Sequence, residues 1–142
     1  MGDETPGRFS QASAQLSTWM GALIGYVCSG QPDLTNRQMA LMLLVYLTPG
    51  PHTVRGLARV LGVSKPVITR ALNTLGALGY LRRERDNADR RNVFITKTES
   101  GAQFLEGFSE TLDDGARRPP AAPAEDGARR VVRREPAFIA GR

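Results

Sequence analysis

A chain of 142 residues, 41% of them hydrophobic, has room for one domain with a modest core, and a large substrate cleft is not expected at that size. Its net charge of +5 is uneven: residues 50–79 carry four bases and no acid, 80–97 six bases against three acids, and 98–114 five acids and no base. The basic half is built to meet an anion, nucleic acid first, while the single cysteine excludes an internal disulfide and suits a reducing compartment.

The opening MGDETPG lacks the basic start and apolar stretch of a secretion signal. The apolar runs WMGALIGYVC and MALMLLVYL fall far short of the ~20 residues that cross a bilayer, so the chain reads as cytoplasmic, with no membrane partner. Residues 1–9 are expected to form a flexible N-terminus. From Ser10 to about Cys28, residues Leu16, Trp19, Met20, Leu23, Ile24 and Val27 recur at helical spacing and predict a helix that packs through them. Cys28, at its end, reads as a small buried thiol.

GQPDL breaks the chain, and Thr35 with Gln38 has the form of a capping box opening a second helix. In MALMLLVYL the apolar residues run nearly all round, the mark of a central buried helix, which TPGP ends. Thr53 caps a third helix with Val54, Leu57, Ala58 and Leu61 inward, and Gly62 stops it. Ser64 caps a fourth, with Pro66 tolerated in its first turn. Val67, Ile68, Ala71, Leu72, Leu75 and Leu78 line its buried side, opposite Lys65, Thr69, Arg70 and Asn73.

Ala58, Gly62 and Ile68 have the spacing of a helix-turn-helix, in which two short helices cross closely about a small residue and a Gly turn. The free face of the second helix then suits the major groove, with Ser64, Lys65, Pro66, Thr69, Arg70 and Asn73 at the contact and Thr53 and Arg55 near the backbone. After Gly79, YLRRERD and RNVFIT read as two strands joined through DNAD, a charged ribbon projecting into solvent. Arg83, Arg85, Arg90 and Arg91 make this ribbon a candidate wing. An Arg at its tip suits the narrow minor groove, and Asp89 is expected to fix the guanidinium's direction or form a surface ion pair with the arginines.

Thr98 caps a fifth helix with Phe104, Leu105, Phe108 and Leu112 as its apolar stripe. Residues 115–142, rich in Pro, Ala and Arg, read as a flexible basic tail. The organisation expected is thus one domain over 10–114 between two flexible ends. Catalysis is not expected: His52, the only histidine, sits in a Pro/Gly turn, and no metal-ligand cluster, phosphate loop or nucleophile and base pair stands out. No cofactor is expected.

Across Leu34 to Gly101 the sequence resembles the MarR family of bacterial transcription regulators. LTNRQMALMLLVYL resembles the family's central helix, TVRGLARVLGVSKPVITRALNTLGALGYLRR its helix-turn-helix, and DNADRRNVFITKTESG its wing and exit, with Asp89 and Arg91 as the Asp-x-Arg signature. The resemblance implies a mainly α fold with a small β-wing, a winged helix-turn-helix flanked by N- and C-terminal dimerisation helices. It further implies a homodimer on a near-palindromic operator in double-stranded DNA, usually a repressor. A small aromatic or lipophilic effector binding between the dimer helices and the DNA-reading part is also implied; Trp19, Leu23 and Met39 are the candidate pocket residues.

The sequence departs from the family at two places. Lys97 stands where an apolar residue is usual, and after residue 114 RRPPAAPAEDG replaces a final long helix. Helices one and five are therefore expected to carry the dimer. Rival readings are a winged helix used as a protein-interaction module, which has no need of paired arginines at a wing tip, and a regulator controlled by a protein antagonist or by Cys28 oxidation.

Overall fold

The computed structural model describes residues 6–117, so most of the expected basic tail and the start of the chain lie outside the described residues. Five helices and one hairpin follow in the order α1 (Pro6–Cys28), α2 (Asn36–Leu47), α3 (Val54–Leu61), α4 (Lys65–Ala77), β1 (Leu81–Arg85), β2 (Val93–Lys97) and α5 (Glu99–Arg117). Helix α1 begins four residues earlier than its apolar period suggests, and α5 runs three residues past 114.

Local chemistry sets most of the boundaries. The capping box before α2 is complete: Thr35 Oγ1 accepts from the Gln38 N–H at 3.2 Å and Gln38 Oε1 accepts from the Thr35 N–H at 2.9 Å. Thr53 Oγ1 accepts from Gly56 N–H ahead of α3, and Thr98 Oγ1 from Gly101 N–H ahead of α5. Gly62 (φ 64°) ends α3 and Gly79 (φ 77°) follows α4, both in the left-handed region that costs other residues a steric clash. Ser64 occupies the N-cap position of α4, but its hydroxyl makes no capping bond.

The core is one cluster. Leu41, Met42 and Val45 of α2 are fully buried and meet Leu57 and Ala58 of α3, Ile68, Ala71, Leu72 and Leu75 of α4, and Ile95 of β2. Burying each large apolar side chain of this set contributes about 1.5–3 kcal/mol. Leu78 is not part of the α4 face, being 37% exposed.

The hairpin is antiparallel, with Leu81 opposite Lys97, Arg83 opposite Ile95 and Arg85 opposite Val93. Ile95 is also bridged from its other side by His52, whose carbonyl accepts the Ile95 N–H at 2.8 Å. The expected surface histidine is thus half-buried and lends its backbone to the wing's base.

Tyr46 joins α2, the wing and α5. Its hydroxyl lies 2.9 Å from the Tyr80 carbonyl and 2.8 Å from that of Thr98, and accepts the Thr98 N–H at 2.9 Å. Gly101 leaves room for it, because a Cβ there would collide with the Tyr46 hydroxyl and the Tyr80 carbonyl. Lys97 reaches the Tyr46 carbonyl with Nζ at 3.0 Å, so the departure from an apolar residue adds a tie at the wing's base.

Helix α1 packs on α5 through a face other than its large apolar one. Ala22 and Tyr26 are buried, with Gly21 and Gly25 beside them, and Tyr26 meets the rings of Phe104 and Phe108 edge-on at 5.9 and 5.5 Å. Leu16, Trp19, Met20, Leu23, Ile24 and Val27 face outward, at 38–75% exposure. Cys28 is exposed too, contrary to its reading as a buried thiol, because the helix is rotated to bury its small residues.

Candidate nucleic-acid interface

Helix α4 has a spacing that sorts its residues sharply. Positions 65, 69 and 73 lie four apart and so form one ridge, and Lys65, Thr69 and Asn73 are all exposed along it. Arg70, Pro66 and Ser64 are exposed beside them, and the helix carries no acidic residue. On the opposite side Ile68 and Leu75 are fully buried, which fixes the helix's rotation and holds that ridge in solvent. At the N-terminus of α4 the Ser64 hydroxyl makes no capping bond, Pro66 has no N–H, and the Val67 and Ile68 N–H groups donate to the Ser64 carbonyl.

Thr53 is half-buried at the start of α3 and engaged in its cap, and Arg55 is exposed one residue into that helix. A basic residue that the sequence reading missed lies nearby. Arg37, in the first turn of α2, shares with Gln38, Arg70 and Thr74 a groove of about 190 Å³. Its sequence signal was the Thr35–Gln38 box itself, which puts residue 37 in the exposed first turn.

In the wing, Arg85, Arg90 and Arg91 are exposed, the latter two at the tip. Asp89 does not orient a guanidinium or form an ion pair: its Oδ1 accepts the backbone N–H of Arg91 at 3.0 Å, and its carbonyl accepts the Asn92 N–H. The carboxylate shapes the turn, a local competition that Asp side chains win easily because the backbone donor is only two residues away. Among the described residues the one ion pair is Arg82 with Glu84 at 2.5 Å, on the same side of β1.

Arg83 is also placed differently from its reading as a projecting wing residue. Its guanidinium turns back to α4, where Nη2 donates to Asn73 Oδ1 at 2.8 Å and approaches the Thr69 carbonyl at 3.4 Å. Two of the expected contact residues are thereby joined, one from each half of the motif.

The structure does not bring Trp19, Leu23 and Met39 into one cavity, since the first two face outward from α1 and Met39 packs on the core. A cleft of about 580 Å³ lies instead between the end of α1, the α4–β1 joint and α5, lined by Tyr26, Leu78, Tyr80, Gln103, Phe104 and Phe108 among others. Burial, with Tyr26 nearby, pushes the Tyr80 phenol above its ordinary value of 10.0.

Two short helices about a Gly turn, followed by a two-stranded ribbon, define a winged helix-turn-helix protein. Residues 33–92 match the model of the MarR family. The chain is 31% identical over 86 residues to an uncharacterized HTH-type transcriptional regulator of Bacillus subtilis, YwhA, covering 58% of this chain and 62% of that one. It spans less than two thirds of the length of the curated relatives it matches.

Among solved structures, a transcriptional regulator from Thermotoga maritima superposes with a TM-score of 0.64 at 26% identity, covering 78% of this chain and 75% of that one. A mutant of S. aureus MepR bound to oligodeoxyribonucleotide shares the fold, with a TM-score of 0.67 at 21% identity over 80% of this chain and 81% of that one. Both curated relatives that this chain matches are named as transcriptional regulators.

Proposed function

We propose that this chain is a sequence-specific regulator of transcription that binds double-stranded DNA as a homodimer on a near-palindromic operator and represses from it. The observation that carries the reading is the acid-free ridge Lys65, Thr69, Asn73, flanked by Arg70 and held outward by a buried opposite face. Such a ridge offers donors to phosphates and base edges in the major groove, and Arg90 and Arg91 at the wing tip suit the negative potential of the minor groove beside it. Ser64, Thr53, Arg55 and Arg37 add phosphate contacts around it.

The homodimer is supported by the exposed stripe on α1, six large apolar side chains on one helix, which water penalises and a second copy covers. An aromatic or lipophilic effector is supported by the cleft beside Tyr80 and Phe104, because it touches both α5 and the joint that follows α4.

Selection of bound sequences from random duplexes tests this reading. An inverted repeat is expected, with affinity falling steeply as salt rises. Recovery of no enriched sequence, or of weak binding indifferent to salt, contradicts it and leaves the protein-interaction reading in its place.

A further inference from the structure

Resting on the DNA-reading role proposed above, we infer that Arg83 is a positioning residue that makes Asn73 a donor-only reader of a base edge. The guanidinium reaches across from β1 to one turn of α4, 2.8 Å from Asn73 Oδ1 and 3.4 Å from the Thr69 carbonyl. Its stem is held because Arg83 pairs in register with Ile95, which is 3% exposed and bridged on its other side by His52.

Arginine has five N–H donors and no acceptor, so an asparagine that meets it must present its oxygen and direct its NH2 elsewhere. The orientation of the Asn73 amide therefore follows from the chemistry of its neighbour. A free asparagine reads adenine with both groups, accepting from N6 and donating to N7. Here a cation already occupies the oxygen, and positive charge stands where adenine's amino group has to approach. What remains is an NH2 on the exposed ridge, fixed before DNA arrives. It fits a base edge that presents an acceptor, guanine O6 or N7 or thymine O4. No other arginine of the wing can substitute, since Arg82 is held by Glu84 and Arg85, Arg90 and Arg91 lie at or beyond the strand's end.

The test is random-duplex selection with the full chain and with Arg83→Met, Arg83→Lys, Asn73→Asp, Asn73→Ala and the Arg83→Met/Asn73→Ala pair, each checked for cooperative thermal unfolding. The full chain is expected to prefer guanine or thymine at one position of each half-site. Arg83→Met frees the oxygen and raises adenine there about fivefold or more, the rest of the site unchanged. Arg83→Lys, which keeps a cationic donor on the oxygen, restores the original preference. In the Asn73→Ala background Arg83→Met changes no base preference. If Arg83→Met does not fold, Asn73→Asp decides: it keeps the acceptor for Arg83, removes the outward donor, and is expected to lose the guanine or thymine preference.

An Arg83→Met variant that binds more weakly but with the original base profile overturns the inference and makes Arg83 a phosphate contact or a scaffold tie, the DNA-reading role still standing. Retention of that preference by Asn73→Asp also overturns it. A full chain that enriches no duplex sequence removes the DNA-reading role and this inference with it.

Discussion

Gly21 on α1 meets Gly115 on α5 backbone to backbone: a Cβ on Gly21 would stand 2.8 Å from the Gly115 Cα, and one on Gly115 would stand 2.7 Å from the Ala22 nitrogen. The two backbones leave no room for a side chain here, and Gly25 against Thr111 continues the contact one turn on. Small residues at such a crossing set how α1 is rotated, and with it which side chains are left outside.

Gly115→Val is accordingly expected to destabilise the chain by about 1–3 kcal/mol, the cost of overpacking a tight contact. Gly107, on the same helix, has open space around its Cβ position, and Gly107→Ala is expected to stabilise by about 0.5–1 kcal/mol through the helix backbone. Denaturant unfolding of both variants checks the pair. Equal effects at the two glycines would show that helix propensity alone, and not the α1–α5 contact, is being measured.

Trp19→Glu and Leu23→Glu are expected to leave the fold intact, because both side chains are exposed within one chain, and to convert a dimer into a monomer. Sedimentation velocity over a range of concentrations reads this directly. A dimer that survives both changes would place the two-fold contact elsewhere than on α1.

Arg91→Ala is expected to weaken duplex binding and to reduce the slope of log affinity against log salt by about 0.9, one phosphate contact's worth. Asp89 sharpens the test because its carboxylate holds the Arg91 N–H. Asp89→Asn keeps an acceptor for that bond while removing a negative charge from the wing, whereas Asp89→Ala removes both. The Asn variant should therefore bind duplex more tightly than the Ala variant. The reverse order would mean that the turn does not depend on this bond.

Tyr80 gives a pH dependence. Its phenol is shifted upward by burial, with Tyr26 adding to the shift, so the folded chain holds that proton more tightly than the unfolded chain, whose tyrosines titrate near about 10. The folded state binds more protons in the window above about pH 10, so stability falls as pH rises through it. The contribution is complete below that window and lost above the folded value. Tyr80→Phe should flatten this part of the stability curve, as followed by urea unfolding between pH 9 and roughly 11. An unchanged slope would assign the alkaline loss to other groups.

The boundaries between α2 and the start of α5 were legible from sequence, because those signals are local, whereas the start of α1 and the end of α5 were not. Thr35 with Gln38, Thr53 with Gly56, Gly62, Gly79 and Thr98 each satisfy or release backbone within a few residues, and the burial of Ile68, Ala71, Leu72 and Leu75 follows from helical spacing against an α2 that is apolar from Met39 onward. The exposed ridge of α4 was legible for the same reason.

Choices between partners remote in the chain, or between rival faces, were settled by packing. Helix α1 offers a large apolar face and a small-residue face. The second packs on α5 because Gly21 and Gly115 let the backbones meet, a complementarity of shape that periodicity does not encode. The exposure of Trp19, Leu23 and Cys28 follows from that packing. Arg83 could reach solvent, Glu84 or α4, and strand register alone set it against Asn73 and Thr69. Composition counts charges, but the direction in which each points depends on which backbone stands within about 3 Å of it once the chain has closed on itself.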